Sequence, residues 1–185
     1  MRIIGGLYKG IKLNIFNGKE IRPTPSIVRE AVFDILGARV IDSEFLDLFA
    51  GTGAVGFEAF SRGARWVTFV ELNKKSIELI KKNMEIINHR ECFHLIKSHY
   101  IQAIEQLKND QQKFDIIFLD PPYNHVDYLF KSLQEIELSS ILKRDNIILV
   151  QHCQCSGLKY DSQKLFLLKE KKYGRNRISI FHLRE

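Results

Sequence analysis

The sequence predicts an α/β fold: a mostly parallel sheet closed by a C-terminal antiparallel hairpin and preceded by a small N-terminal β-hairpin arm. Three observations carry this prediction. Apolar runs of strand length alternate with amphipathic stretches of helix length from residue 44 to residue 152. Those runs are apolar throughout instead of alternating, as strands covered on both faces are. A glycine-rich loop joins the first run to the helix after it, which is where open α/β sheets bind ligands.

Taken in order, residues 1–22 read as the arm, with Gly5-Gly6, Gly10 and Asn17-Gly18 as turn signals. Pro23 and Pro25 break the chain before a helix from Ser26 to Leu36, whose Ile27, Ala31 and Ile35 recur at four-residue spacing. Strand 44–49 then leads to helix 53–62, which stops at Gly63, and strand 66–71 leads to helix 74–88. Strand 92–97 precedes helix 99–108, strand 114–119 precedes helix 126–137, and strand 146–152 follows. This rhythm implies right-handed crossovers. Runs from Leu165 to Glu170 and from Arg177 to Leu183 flank Tyr173-Gly174-Arg175-Asn176 and make the final hairpin. The chain therefore divides into an arm, 1–22, and one domain, 23–185.

At 185 residues and 45% hydrophobic content the chain can bury a substantial core. No stretch approaches the ~18 consecutive apolar residues of a membrane span. Met1-Arg2-Ile3-Ile4 breaks at once into Gly5-Gly6, unlike a signal peptide. Cys92, Cys153 and Cys155 are an odd set without framework spacing, which suits reduced thiols in a cytoplasmic protein; no membrane is expected, and nothing in the sequence suggests more than a monomer. His152-Cys153-Gln154-Cys155 lacks a second ligand pair, so no metal site is expected, and His89, His94 and His99 read as ordinary polar side chains.

The net charge of +6 is unevenly spread: residues 1–40 carry +4, residues 159–185 carry +5, and residues 41–158 carry −3. Basic ends around an acidic core suit a protein whose flanks meet phosphate. Arg2, Lys9, Lys12, Lys19 and Arg22, interleaved with Tyr8 and Phe16, are the nucleic-acid candidates. The Lys169-Glu170-Lys171-Lys172 run reads instead as a solvated face.

Four residues after the 114–119 strand, Asp120-Pro121-Pro122-Tyr123, carry the most chemistry. The prolines fix φ and contribute no N–H, so their carbonyls stay free as acceptors beside the Asp120 oxygens. Tyr123 adds a flat face for stacking. Two acceptors and a ring suit the NH2 group of a nucleobase. Upstream, Gly51-Thr52-Gly53-Ala54-Val55-Gly56 forms a nucleotide cradle at a helix N-terminus. By itself that pattern also fits an NAD-binding loop, but no Gly-Lys-Ser/Thr follows, which excludes a Walker loop. Glu71, ending the next strand, can accept from both hydroxyls of a ribose, which NAD and S-adenosylmethionine share. Asp47 separates the two: an acid beside the loop repels a pyrophosphate and suits the cationic amino end of S-adenosylmethionine.

These blocks, with Met1-Arg2-Ile3-Ile4-Gly5-Gly6, Arg22-Pro23-Thr24, Val28-Arg29-Glu30-Ala31 and Tyr173-Gly174, resemble the RsmD type of small-subunit ribosomal RNA methyltransferase across nearly the whole chain. The resemblance implies a seven-stranded, Rossmann-like class I methyltransferase fold and S-adenosyl-L-methionine as cofactor. It also implies methylation of the exocyclic N2 of a guanine in 16S rRNA, within the small ribosomal subunit. Asp120, Pro121, Pro122 and Tyr123 would then be catalytic. Asp47, Phe49, Gly51, Thr52, Gly53, Glu71 and Leu72 would bind the cofactor. Thr24, near the cofactor entrance, would bind the cofactor too, and Arg2, Lys9, Lys12, Arg22 and Arg29 would bind RNA. The family pattern carries an Asp after the third strand to accept from the adenine amino group. Here that stretch is Lys97-Ser98-His99-Tyr100, so no residue is assigned to the base. The competing functions are a DNA adenine or cytosine amino-methyltransferase, a non-enzymatic RNA-binding assembly factor and an NAD-dependent oxidoreductase.

Overall fold

A computed structural model of the chain describes residues 1–16, 24–122, 126–153, 160, 162 and 164–184. Its strands are β1 (Glu44–Asp47), β2 (Trp66–Val70), β3 (Phe93–Ile96), β4 (Phe114–Leu119), β5 (Leu142–Cys153), β6 (Leu165–Tyr173) and β7 (Asn176–Leu183). They form one seven-stranded sheet in the order β3-β2-β1-β4-β5-β7-β6. Pairing is parallel from β3 to β5 and antiparallel for β7 against both β5 and β6. The helices are α1 (Ser26–Leu36), α2 (Ala54–Ser61), α3 (Lys74–Ile87), α4 (Tyr100–Asn109) and α5 (Val126–Ser139). None of the described helices is long and apolar enough to cross a membrane.

Strand alternation sorts the core into two layers. Phe45, Ile116, Phe118, Ile147 and Leu149 face α1, α2 and α3, while Leu46, Ile117, Leu119, Ile148 and Val150 face α4 and α5. Both faces are covered, which is why the strands read as continuous apolar runs. The β6–β7 turn is tight because Gly174 takes φ 59° while Arg175 does not adopt a positive φ, a type II′ arrangement matched to strand twist. β1 ends at Asp47, two residues short of the sequence-predicted strand, because Leu48 onward turns toward the glycine loop.

The N-terminal segment differs most from expectation. Among the described residues its ladder is a single bridge, Arg2 to Lys12, and it contributes to the main core: Ile3 and Leu13 are buried there. What holds it is helix α2. Ile4 and Gly5 N–H groups donate to the two oxygens of Glu58 at 2.9 and 2.7 Å. Leu7 N–H donates to the Ser61 carbonyl at 2.7 Å, supplying one of the carbonyls that a helix C-terminus leaves open. Gly5-Gly6 is there for close approach: a Cβ on Gly6, whose φ is +77°, would lie 1.8 Å from the Ser61 oxygen. Further along, Asn83 on α3 accepts from Asn14 N–H at 2.8 Å. The segment is thus strapped across α1, α2 and α3. Asn17-Gly18, Lys19, Arg22 and Pro23 lie outside the described residues.

Gly6→Ala is expected to destabilise the protein by about 2–3 kcal/mol, from left-handed strain and displaced backbone together. A denaturant midpoint equal to the parent's would show that the segment is not held as described.

Candidate active site

Three neighbouring strands bring three carboxyl groups to one edge. The register sets Asp47 of β1 opposite Phe69 of β2 and Phe118 of β4. Asp47, Glu71 and Asp120 therefore all stand at the carboxyl ends, astride the point where strand order reverses between β1 and β4.

The glycine loop turns over this edge. Ala50 N–H donates to the Val70 carbonyl at 3.0 Å and Gly53 N–H to the Ala50 carbonyl at 2.7 Å. Gly51 and Gly53 take φ of 54° and 76°, a region that other residues enter with strain. A Cβ on Gly51 would meet nothing within 4 Å, so the outer side of the loop is open, whereas one on Gly56 would lie 2.3 Å from the Phe69 ring. The first glycine leaves room for a ligand, and the last seats α2 on β2. Thr52 is buried inside the turn.

Asp47 is only 1% exposed and its Oδ2 accepts from Gly56 N–H at 3.1 Å. It caps the first turn of α2 from beneath, where the helix dipole favours negative charge. Burial nevertheless pushes its pKa up to about 8, aided by the nearby Asp120 and Glu71. Burial likewise pushes Asp120 up to about 7, opposed by a long contact of 3.4 Å from the Thr24 hydroxyl. Two poorly solvated carboxyls side by side are receptive to a cation, which would draw both toward the ionised form.

Glu71 has a structural duty that its place at a strand end does not reveal. Its Oε2 accepts from Gly51 N–H at 2.7 Å, and its Oε1 from Leu72 and Asn73 N–H at 2.8 and 2.7 Å. It ties the glycine loop to the β2–α3 connection, and a carboxylate with about four acceptor sites keeps one for a ligand hydroxyl. Leu72 beside it is 61% exposed.

Beyond these lies an aromatic wall. Phe49 packs on Tyr100 with ring centroids 5.2 Å apart, and Tyr100 on Tyr128 at 5.3 Å. His99 lies 4.4 Å from Tyr100 and edge-on to Tyr128 at 5.8 Å. Of this wall the sequence reading singles out Phe49 alone. Contacts between residues so far apart in sequence leave no local pattern. Pro121 is buried and Pro122 exposed beside Asp120, while Tyr123 lies outside the described residues.

Among the basic candidates, Arg2, Lys9 and Lys12 are exposed. Arg29 is not a surface cation. It is 3% exposed, 3.6 Å from Glu58 and donates to the Arg2 carbonyl at 3.1 Å. Its place on the inward face of α1 turns the expected RNA contact into an internal one. His152 also faces inward, its Nε2 2.8 Å from the Ser179 hydroxyl, whereas the adjacent Cys153 is half-buried. Cys155 lies outside the described residues.

Residues 1–182 match the family described as Conserved hypothetical protein 95. The chain is 37% identical over 175 residues to a Haemophilus influenzae protein named Ribosomal RNA small subunit methyltransferase D, covering 94% of this chain and 89% of that one. It is 30% identical over 184 residues to the Putative rRNA methyltransferase YlbH of Bacillus subtilis, with both chains covered in full. A putative methyltransferase from Escherichia coli, yhhF, superposes with a TM-score of 0.86 at 28% identity, covering 100% of this chain and 98% of the other. A putative methyltransferase, SMU.776, solved in complex with SAH, shares the fold at 18% identity and a TM-score of 0.67, over 84% of this chain and 48% of its own.

Proposed function

Because the chain belongs to the RsmD family, the family described as Conserved hypothetical protein 95, we propose that it methylates the exocyclic N2 of a guanine in 16S ribosomal RNA with S-adenosyl-L-methionine. The observation that carries this reading is the convergence of Asp47, Glu71 and Asp120 on the edge where the glycine loop opens. The residues fit the cofactor: an open Gly51, a spare acceptor on Glu71, and the buried Asp47 beside the half-buried Asp120, a pair suited to a cation.

When bound, the cofactor supplies an electrophilic methyl carbon on a sulfonium. Glu71 accepts from one ribose hydroxyl on its remaining site, while its other acceptor sites keep the loop closed beneath it. The Asp120 carboxylate and the Pro121 carbonyl accept hydrogen bonds from the guanine NH2. That draws the nitrogen lone pair out of the ring and stabilises the positive charge growing on it. Asp120 then takes up the released proton. Tyr123 supplies the stacking face for a base withdrawn from its helix. Thr24, 3.4 Å from Asp120, orients that carboxyl. Arg2, Lys9, Lys12 and Arg22 meet phosphate.

The direct test is methyl incorporation from labelled cofactor into small ribosomal subunits, free 16S rRNA and DNA, followed by nucleoside mass analysis. N2-methylguanine in the rRNA is expected. Incorporation into DNA adenine or cytosine would replace this reading by the amino-methyltransferase one, and no incorporation would leave an assembly factor.

Glu71→Ala is expected to raise the dissociation constant for S-adenosylmethionine at least tenfold, since charge-assisted bonds contribute roughly 1.5–3 kcal/mol. It should also loosen the loop that Gly51 N–H anchors. An unchanged calorimetric constant would count against the ribose contact.

Charge at the edge has a pH consequence. Asp47 and Asp120 hold their protons up to about pH 8 and about pH 7 in the fold, against an ordinary carboxyl value of 3.8. The folded chain thus binds more protons than the unfolded one across roughly pH 4 to 8, and stability from these two groups falls as pH rises through that window. Cationic cofactor should expel protons at pH 7, so its affinity should rise toward pH 8, while that of the product SAH, which keeps the ammonium but lacks the sulfonium charge, changes less. Titration in buffers of different ionisation enthalpy measures this. Equal proton release for both ligands would refute it. RNA affinity should fall steeply with salt, by a logarithmic slope of about 0.7–0.9 per phosphate contacted.

A further inference from the structure

We infer that His99 reads the adenine ring of the cofactor by donating a hydrogen bond from Nε2 to a ring nitrogen. This rests on the cofactor assignment above and deepens it.

The direction of the ligand follows from strand order. Its reacting end lies by Asp47 and Asp120, at β1 and β4, and its ribose lies by Glu71, at β2. Continuing along β4-β1-β2-β3, the base arrives at the end of β3. From β4 to β3 is three strand spacings, about 14 Å, a fair reach for an extended nucleoside with an amino-acid tail. There the chain turns through Lys97 and Ser98 into His99, the N-cap of α4.

The ring of His99 is held on two sides. Its Nδ1 accepts from Ile101 N–H at 3.5 Å, the capping contact. Its face leans on Tyr100 at 4.4 Å, and Tyr128 meets it edge-on. A neutral imidazole whose Nδ1 accepts must carry its proton on Nε2. Nε2 has no partner among the described residues, so it presents a donor beside the Phe49–Tyr100 wall. A carboxylate at this corner would accept from the 6-amino group. A donor instead selects one of the acceptor nitrogens N1, N3 or N7. The helix cap thereby sets the tautomer that reads the base.

The test is calorimetric binding of SAH and its 1-deaza, 3-deaza and 7-deaza analogues to the parent protein and to His99→Phe. The parent should bind one deaza analogue about five- to tenfold more weakly than SAH, the loss of one neutral hydrogen bond. In His99→Phe, which keeps a flat ring, SAH should weaken by a similar factor and that analogue should bind as SAH does. Parent protein that binds SAH and all three analogues alike overturns the inference and leaves the cofactor assignment intact. The same discrimination persisting in His99→Phe also overturns it. If SAH itself fails to bind, the cofactor assignment falls and this inference falls with it.

Discussion

Asp120→Ala is expected to reduce methyl transfer by about 10²- to 10⁴-fold, the range for removing a positioned proton acceptor or a charge-stabilising group. SAH should bind the variant within about threefold of the parent, because the glycine loop is held by Glu71 and Asp47 and not by Asp120. Asp120→Asn should lie between, since its amide oxygen still accepts but cannot take the proton. Single-turnover rates with bound RNA separate chemistry from release. If Asp120→Ala methylates at the parent rate, the proposed chemistry has no acceptor at its centre. Loss of SAH binding together with activity would instead make Asp120 a residue of the fold.

The second large effect lies far from the chemistry. Glu58→Ala is expected to cost about 3–5 kcal/mol, lowering the thermal midpoint on the order of 10 °C for a chain of this length. Glu58 is 0% exposed and accepts from Ile4 N–H, Gly5 N–H and Arg62 Nε, the last at 2.9 Å. Removing it strands Arg29, itself buried, without its carboxylate at 3.6 Å. Burial already pushes the Arg29 pKa down, and only the acidic neighbours Glu58 and Glu30 oppose that. The discriminating variant is the double replacement Arg29→Met with Glu58→Leu. Swapping a whole buried pair for apolar residues is commonly tolerated, so it should recover part of the loss. A Glu58→Ala protein as stable as the parent would mean that the N-terminal segment is not fastened through this carboxylate.

Glu58 and Arg29 mark how sequence and structure divide. Both sit in helices whose extent was legible from periodicity, yet neither shows by its neighbours in sequence that it points inward. A charged residue on a helix is ordinarily solvated, and only the segment laid across α1 and α2 supplies the backbone donors that make burial tolerable. Arg29 was therefore expected on RNA and is found in the interior. The Gly5-Gly6 block reads as a turn signal, but the contact requiring it is with the Ser61 carbonyl, fifty-odd residues away. His99 belongs with them: an ordinary polar residue in sequence, a helix cap packed against Tyr100 and Tyr128 in space.

By itself the sequence determined the parallel sheet, the closing hairpin, the glycine loop and the three acids at strand ends. These depend on local periodicity and on rules tying ligands to the carboxyl edges of strands, both of which act over a few residues. Only the tertiary structure decided which charges are buried, which oxygens of Glu71 are already engaged, and that the N-terminal segment is strapped onto the helices instead of standing apart. Burial and hydrogen-bond partnership are properties of elements packed together, and no stretch of chain carries them alone.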